Sequence, residues 1–288
     1  MSSLEFPGAP GHVSHSAMED YQRCPHAFEL KRVEKVEQNS LWAGIGGTAV
    51  HHVTEAYDLG NLGEPDANEV NDLFVAEFDE AVAKQQERSP NYPVEEWYAT
   101  GGGKFDAAWW LEFGPTAVMS YIAWRKQTGW DLAEVAGEPA IEVELKAELP
   151  NGPVALGFID RVFVLPNGKL CVVDLKNSAR HPDWKSQLGL YKVLWSIVHP
   201  DLEPITYGSY WTSRSWGKAG EAGWHTKPEP LDEWTPELLA ALYNNFIAGA
   251  NAGSFNPKPS NMCAACPVKK HCILYGSDPK GSLANVSA

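Results

Sequence analysis

The sequence predicts an α/β fold in which a central mixed β-sheet is flanked by helices. Apolar segments on both sides of residues 166–168 (Pro-Asn-Gly) predict a β-hairpin, because proline presets the first turn position and glycine accepts the positive φ of the last. Residues 140–149 alternate between apolar and polar side chains, which predicts a strand with one solvent-exposed face. Apolar residues at helical spacing between residues 61 and 130, and again after Thr235, predict the flanking helices.

The hairpin register brings two acidic residues together. With a three-residue loop, Leu165 pairs with Lys169, and counting back along both strands places Asp160 opposite Asp174. Opposed residues share a face, with Cβ atoms about 4.5–5.5 Å apart. Both faces of the hairpin are otherwise apolar, so we expect it to be buried. Two carboxylates in such a place raise one pKa unless a cation neutralises them, and their oxygens favour Mg²⁺ or Mn²⁺.

Three more polar residues follow the second aspartate. Lys176 lies two residues beyond Asp174 and therefore on the same face, where an ammonium can orient an attacking water or stabilise charge on a phosphate. A plain salt bridge to an aspartate is the alternative. Gln187 and Tyr191 are four residues apart on the next predicted helix and share a side of it. Gln187 and Tyr191 could hold the water or the phosphate in position. The alternative is that Gln187 lies on the helix surface and Tyr191 in the core.

Composition narrows the class of protein. The chain has 288 residues, 44% of them hydrophobic and 21% charged, which is typical of a globular protein with one sizeable core. A net charge of −14 argues against nonspecific coating of nucleic acid but is compatible with a narrow basic groove. The N-terminus lacks the features of a signal peptide, and no apolar run has membrane-spanning length. We therefore expect a cytoplasmic protein with no membrane association.

The cysteines predict a metal centre rather than disulfides. An odd count of five without a secretion signal does not suggest a disulfide framework. Cys171 lies inside the hairpin and is predicted to be a small buried hydrophobe. The remaining cysteines are Cys24, Cys263, Cys266 and Cys272. The last three have the compact spacing Cys-x2-Cys-x5-Cys, which indicates metal binding but lacks one ligand.

Cys24 can supply the missing ligand. A capping box beginning at Ser16 predicts a short helix that ends at Cys24-Pro25, a suitable place to present a thiolate. Four thiolates suit either a 4Fe–4S cluster or a structural Zn²⁺ ion, with His26 or His271 as an alternative fourth ligand. Farther along, Thr48 is predicted to cap a helix that runs to about Leu59.

The acidic hairpin and the residues after it resemble the PD-(D/E)xK nuclease superfamily. The matching residues are Gly157–Val162 (GFIDRV), Val173–Lys176 (VDLK), Gln187 and Tyr191. The resemblance is to the RecB-type branch, which includes CRISPR-associated single-domain exonucleases and the nuclease domains of helicase–nuclease complexes. It implies a restriction-endonuclease-like core. It also implies a metal held by a histidine, the two aspartates and the carbonyl after the second one, which are His51, Asp160, Asp174 and Leu175 in this sequence.

The histidine follows from the family pattern of a glycine, three residues and a histidine, which Gly47 and His51 match. His52 is an alternative. Glu55, one turn away, is a candidate to orient the ring of His51. Family members often carry an acidic residue on the preceding strand, so either Glu142 or Glu144 is a further candidate near the metal, with a solvent-facing acidic edge as the other interpretation.

A second part of the resemblance concerns the thiols. Residues 14–28, with the pattern Ser-x-Ser-x4-Tyr-x2-Cys-Pro-x2-Phe, and the C-terminal cysteine run resemble the iron–sulfur subset of RecB-type nucleases. This implies a 4Fe–4S cluster on the four cysteines named above rather than zinc. The cluster would tie the two ends of the chain together. We therefore expect a single nuclease domain over 1–288, in which 14–60 and 235–275 contribute the iron–sulfur and helical part and 138–212 the catalytic core.

The function implied by the resemblance is Mg²⁺- or Mn²⁺-dependent hydrolysis of DNA by an exonuclease acting on single strands or DNA ends. The expected catalytic residues are Asp160, Asp174, Lys176, Gln187 and Tyr191. Basic residues expected to contact phosphates are Arg23, Arg161, Arg180 and Lys185, and a loop over 213–223 carries Arg214 and Lys218.

Two other functions remain open at this stage. One is a non-catalytic DNA-binding adaptor of a recombination or CRISPR-adaptation complex, and the other is a zinc-bound interaction module. Partner proteins in recombination, phage DNA processing or CRISPR adaptation are compatible with each, and cleavage polarity and oligomeric state are open.

Overall fold

The computed structural model describes residues 3–214 and 222–276. In chain order the elements are β1 (Val13–Ser14), α1 (His15–Arg23), α2 (Pro25–Phe28), α3 (Trp42–Asp58), α4 (Ala67–Arg88), α5 (Ala107–Thr128), β2 (Asp131–Leu132), β3 (Glu134–Val135), β4 (Glu138–Pro139), β5 (Ile141–Glu148), β6 (Val154–Val164), β7 (Leu170–Lys176), α6 (Ser186–Val198), β8 (Ile205–Arg214), β9 (Ala222–His225), β10 (Glu229–Pro230) and α7 (Pro236–Asn251). A π-helical turn, Glu29–Val33, continues α2, and short 3₁₀ turns follow at Val94–Glu96, Asn261–Ala265 and Lys269–His271.

A mixed sheet organises the fold, as predicted. Its strands run in the order β1-β6-β7-β8-β10, with β2 and β5 also paired to β6 and β9 paired to β8. β6 is antiparallel to both β5 and β7, whereas β7 and β8 are parallel and are joined through α6. A helical crossover of this kind is what a parallel pair requires.

The central hairpin has the predicted turn and register. The Leu165 N–H donates to the Lys169 carbonyl at 2.9 Å, and Gly168 has a φ of +79°. The paired residues extend from Val164 and Leu170 back to Arg161 and Val173. Regular pairing therefore stops one step before the two aspartates, a point that matters for the site.

Both faces of the hairpin are buried. Val162 and Val172 pack in the cluster that contains α6, α7 and α1, while Phe163 and Val173 pack in the cluster formed with α3, α4 and α5. This alternation is the period of two expected for a strand covered on both sides. Cys171 is also fully buried and unpaired, which confirms its prediction as a small hydrophobe.

Two predicted helix starts were wrong. α1 begins at His15, and its N-cap is Ser14, whose Oγ accepts the Ala17 N–H at 3.2 Å, so the cap lies two residues before Ser16. α3 begins at Trp42, and Thr48 lies inside it with its hydroxyl donating to the Gly44 carbonyl at 3.1 Å.

The two glycines before Thr48 lie inside α3, where they serve packing. A Cβ at Gly46 would lie 2.1 Å from the Trp110 ring, and one at Gly47 would lie 2.2 Å from the side chain of Asn177. These close approaches bring α3 against α5 and against the loop after β7, so the helix accepts two residues that otherwise weaken it.

The end of β8 also differs from the prediction. The strand extends to Arg214, and β9 begins at Ala222, so less of 213–223 is loop than expected. Lys218 lies outside the described residues. No helix within residues 3–214 and 222–276 combines the length and the apolar character needed to cross a bilayer.

Candidate metal and catalytic site

Three carboxylates meet where the central strands separate. The β5–β6 register places Glu142 across from Asp160, and the β6–β7 register places Asp174 on the other side of Asp160. Neither pair forms part of the regular ladder. Glu142 has a φ of +49°, which is uncommon for any residue other than glycine. Such local distortion is frequent at functional sites, and here it lies where the acidic groups gather.

His51 completes this group from the facing helix α3. The ligand atoms of His51, Glu142 and Asp160 all lie within 4.8 Å of one another. The Nε2 atom of His51 is 3.1 Å from the Leu175 carbonyl oxygen, and its Nδ1 is 3.9 Å from Glu142 Oε1. Neighbouring ligands of an octahedral cation bound at 2.0–2.1 Å are about 3 Å apart. The 3.1 Å contact is a hydrogen bond when Nε2 carries the proton, and the same spacing suits two ligands of one ion.

The electrostatics of the site also suit a cation. Burial and the charge of Asp174 raise the pKa of Asp160 to about 7, although its carboxylate accepts the Leu175 N–H at 2.6 Å. Asp174 is 2% exposed. Its Oδ2 has the Lys176 ammonium at 2.8 Å, whereas the buried Asn177 Oδ1 has no hydrogen-bond partner among the described residues. Crowded carboxylates beside an unpaired amide oxygen fit a hard divalent ion such as Mg²⁺ or Mn²⁺.

Lys176 is held in place by a chain of contacts. Its Nζ lies 2.8 Å from Asp174 Oδ2 and donates to Gln187 Oε1 at 2.7 Å. The Gln187 amide in turn donates to the Tyr191 hydroxyl at 2.7 Å. Burial alone would lower the pKa of Lys176, but the charge of Asp174 raises it, so the side chain remains an ammonium. Gln187 and Tyr191 thus act on the lysine, where the sequence suggested contacts to water or phosphate.

A glycine of the hairpin allows this chain to form. A Cβ on Gly157 would lie 2.9 Å from the Tyr191 ring, so α6 could not approach β6 as closely with any other residue there. His15 supports the start of the same helix: its Nε2 shares a hydrogen bond with Ser186 Oγ at 2.8 Å. Burial and the nearby Lys176 lower the pKa of His15 to about 4, so its ring is neutral.

A buried ion-pair network beneath the site was not predicted. The fully buried side chain of Arg161 donates from Nε to Asp58 Oδ2 at 2.7 Å. Arg125 donates to Asp58 Oδ1 at 2.8 Å, and the Tyr121 hydroxyl donates to Oδ2 at 2.6 Å. Arg161 is therefore not available to a phosphate, contrary to the expectation from sequence.

The same guanidinium also supports the acidic cluster. Arg161 Nη1 donates to the Asp160 carbonyl at 2.6 Å and approaches Glu142 Oε1 at 3.4 Å. The nearby His51 ring and the charge of Arg161 lower the pKa of Glu142 against the effect of its burial. Glu142 thus stays ionised beside Asp160.

Several other candidates lie away from the metal. Glu142 is the acidic residue of β5 whose carboxylate lies within 4.8 Å of His51 and Asp160, whereas Glu144 belongs to no such group within the described part of the chain. His52 is bonded to Glu77 at 2.6 Å. Glu55 lines the cavity beside His51, but Leu175 and Glu142 are the groups that face the His51 ring nitrogens.

The basic candidates are dispersed. Lys185 forms an ion pair with Glu229, Arg23 lines a cavity near the cysteines, and Arg180 lines a cavity beside β9. Asn177, which directly follows Lys176, was overlooked. It lines the cavity that contains His51 and Glu142, and only its position next to the acidic strand could have indicated this role.

The four cysteines other than Cys171 line one cavity of about 140 Å³ between α1–α2 and the C-terminal turns. The Lys258 N–H donates to Cys24 Sγ and the Ser260 N–H donates to Cys263 Sγ, both at 3.4 Å. His26 is engaged elsewhere, with Nδ1 2.9 Å from Glu29 and Nε2 accepting the Ile273 N–H.

The site combines an acidic cluster, a histidine and a fixed lysine at the point where the central strands separate. This arrangement suits metal-assisted hydrolysis. The chain belongs to the PD-(D/E)XK nuclease superfamily, whose family model matches residues 12–273. Membership implies a metal-dependent nuclease, a hydrolase whose substrate is DNA.

The chain is also similar to two phage proteins. It is 31% identical over 266 residues to the Gene 69 protein of Mycobacterium phage D29, and 29% identical over 286 residues to the Gene 69 protein of Mycobacterium phage L5. Each match covers 91% of this chain and 96% of the relative. The crystal structure of SSO0001 aligns with 90% of this chain and 93% of its own at 15% identity, with a TM-score of 0.35. A TM-score this low gives no information about the site.

We expect divalent metal to stabilise the protein more at pH 8 than at pH 6. Without metal, the pKa of Asp160 is about 7 and that of His51 is raised by the carboxylates against the effect of burial, so protons compete with the ion below neutrality. Without metal, the part of the stability that depends on Asp160 should fall as pH rises from about 4 to about 7, because the unfolded aspartate, with a pKa of about 3.9, then binds fewer protons than the folded one. His15, whose folded pKa is about 4, contributes in the opposite direction below about pH 6.5, so the Asp160 part is the difference between the wild type and Asp160→Asn.

Thermal unfolding with and without Mn²⁺ across this pH range measures both effects. Asp160→Asn should remove most of the metal-induced shift in Tm, and Glu144→Gln, an exposed acid on the adjacent strand, should retain it. An equal shift in both variants would place the metal elsewhere.

Proposed function

We propose that the chain is an Mg²⁺- or Mn²⁺-dependent DNA exonuclease of the RecB-type branch, acting on single-stranded DNA or DNA ends, with a structural 4Fe–4S cluster. The observation that carries the nuclease proposal is the convergence of His51, Glu142 and Asp160 beside the Asp174–Lys176 pair. We place it in the cytoplasm. Because the two similar proteins come from phages, phage DNA processing is favoured among the pathways considered.

The metal would be held by His51, Asp160, Asp174 and the Leu175 carbonyl, with Glu142 as an additional carboxylate. When bound, a divalent ion lowers the pKa of a water and polarises the scissile phosphate. The protein's contribution is to fix these ligands before substrate arrives. The Leu175 N–H donates to the Asp160 carboxylate, and the Leu175 carbonyl faces His51. One residue of the backbone therefore fixes the positions of both side chains.

Lys176 would act as a fixed positive charge. An ammonium with a raised pKa is a poor base, so its role is to orient the attacking water and to stabilise charge that grows on the phosphate. Asp174 and Gln187 hold two of its three donor directions, which leaves one for the reaction. Asn177, with an unpaired oxygen at the cavity that His51 and Glu142 line, would contribute to holding water there.

The cavity that the four thiols share supports a metal centre there. The resemblance of residues 14–28 to the iron–sulfur subset is what favours a cluster over zinc. The cavity volume of about 140 Å³ is about ten times what one water requires. Backbone N–H groups directed at two of the sulfurs suit anionic thiolates of a cluster.

The same contacts support the proposed organisation as a single nuclease domain over 1–288. Cys24 belongs to the N-terminal helices, while its three partners follow α7. The Asn39 N–H also donates to the Pro267 carbonyl at 2.8 Å, which joins the two regions without a cluster. In this proposal 14–60 and 235–275 build the iron–sulfur and helical part and 138–212 the catalytic core.

Matched linear and circular single strands test the proposed activity. With Mn²⁺, the purified protein should degrade a linear strand to short products and leave a circle of the same sequence intact, because an exonuclease needs an end. Cleavage of both would show an endonuclease. Tight DNA binding without cleavage of either would favour the adaptor function and overturn the proposed enzyme.

We expect Cys24→Ser to lose the cluster and Cys171→Ser to keep it. Protein purified without oxygen should be brown, absorb near ~400 nm and contain about four irons per chain, as thiolate-bound clusters do. Cys171 is the matched control because it is buried in the hairpin, away from the other four. Stoichiometric zinc in colourless wild-type protein would refute the iron–sulfur proposal.

A further inference from the structure

Three stacked aromatic rings lie beside the catalytic lysine, on the side of β7 that faces β8. His181, in the loop after β7, stacks on Tyr210 with ring centroids 5.3 Å apart and planes at 9°. It also stacks on Trp224 at 5.6 Å and 12°. The Nδ1 atom of His181 lies 3.0 Å from the Pro182 carbonyl, a contact that fixes the ring. The stack is thus built from two strands and one loop.

The sheet register places this stack on the catalytic face. Lys176 lies opposite Thr212 on β8, and Thr212 lies opposite Trp224 on β9. Directly opposed residues share a face, so the indole is on the same side as the Lys176 ammonium. With strands 4.7–4.9 Å apart, two strand spacings separate their backbones by about 10 Å. Asp174 is related to Tyr210 in the same way, one strand apart.

The outer ring of the stack is open to solvent. Trp224 is 40% exposed, whereas Trp211 on the neighbouring strand is 1% exposed. Trp224 and His181 also line a cavity of about 510 Å³, together with Ala179, Arg180 and Asp183. Packing of the core explains Trp211 but not a large aromatic ring left at the mouth of a cavity next to the catalytic residues.

We propose that this cavity, the stacking pocket, binds a nucleobase of the single DNA strand whose phosphate is cleaved. The inference rests on the proposed nuclease function. Every base has a π-face, so an exposed tryptophan supported from behind by a second ring binds bases of any sequence. At the duplex rise of 3.4 Å per nucleotide, about 10 Å corresponds to at most roughly three nucleotides, and an extended single strand covers that distance with fewer. Trp224 therefore takes a base within about three nucleotides of the scissile phosphate.

Binding of fluorescently labelled single strands by Asp160→Asn protein tests the proposal without cleavage. Since stacking contributes about 1–3 kcal/mol per base, Trp224→Ala should weaken binding by roughly 5- to 150-fold, and Trp224→Phe should retain most of the affinity. Trp184→Ala is the matched control, because that side chain is 49% exposed but does not line the pocket.

A single abasic site moved along the strand separates stacking from a structural effect. In protein with Trp224 intact, affinity should drop when the gap occupies one position near the bound end. In the Trp224→Ala protein the same gap should cost nothing. Equal losses in both proteins, or unchanged binding by Trp224→Ala, would overturn the stacking pocket. Base-dependent binding in a protein that never cleaves DNA would uphold the pocket and refute the nuclease function, so the two proposals fail separately.

Discussion

Lys176→Met is expected to abolish DNA cleavage while leaving the protein folded. The methionine keeps the length and the apolar stem of the side chain but removes the charge that Asp174 and Gln187 fix in place. Removing one preorganised group that stabilises transition-state charge typically costs about 10²–10³-fold in rate, and loss of water orientation adds to this.

Single-turnover rates on a linear single strand measure this loss. Lys169→Met is the matched control, because that lysine lies at the hairpin turn in an exposed ion pair with Glu203. This variant should cleave at the wild-type rate. Undiminished cleavage by Lys176→Met would mean that the activity belongs to a contaminant or to another site.

Asp58→Ala is expected to destabilise the protein by about 3–5 kcal/mol, the range for removing one partner of a buried charged group. The Asp58 side chain is fully buried and accepts from Arg161, Arg125 and Tyr121. Its loss leaves the partly buried Arg125 without an anion and the fully buried Arg161 with only Glu142, at 3.4 Å. That loss is a large part of the total stability of a typical domain.

Urea unfolding monitored by tryptophan fluorescence measures the effect. Glu203→Ala, which breaks the exposed pair with Lys169, should change the unfolding free energy by no more than about 1 kcal/mol. Replacing Asp58 and Arg161 together by leucine and methionine should be milder than Asp58→Ala alone, because no unpaired partner of that pair remains. Similar unfolding midpoints for Asp58→Ala and Glu203→Ala would show that the network is not a stability element.

Local chemistry explains what the sequence could predict. The Pro-Asn-Gly turn at 166–168 determines the loop length, the loop length determines the register, and the period of two then places Asp174 and Lys176 on one face. Each step depends on residues within one hairpin, so the hairpin register and the acidic pair could be derived without coordinates.

Long-range contacts explain what the sequence could not predict. Arg161 was taken for a phosphate ligand because its partner, Asp58, is 103 residues away in the chain. Glu142 could not be separated from Glu144, since the choice depends on a left-handed backbone at one residue of an otherwise regular strand. Thr48 was predicted to cap a helix because the role of the two glycines before it depends on Trp110 and Asn177 in other elements.

A crystal of the protein soaked in Mn²⁺ and measured at the manganese absorption edge tests the central claim most directly. We predict an anomalous peak within about 2.0–2.4 Å of His51 Nε2, the Leu175 carbonyl oxygen and Asp160, with Glu142 or Asp174 completing the ligand set. A map with manganese only at surface carboxylates, and none between His51 and Asp160, would contradict the account.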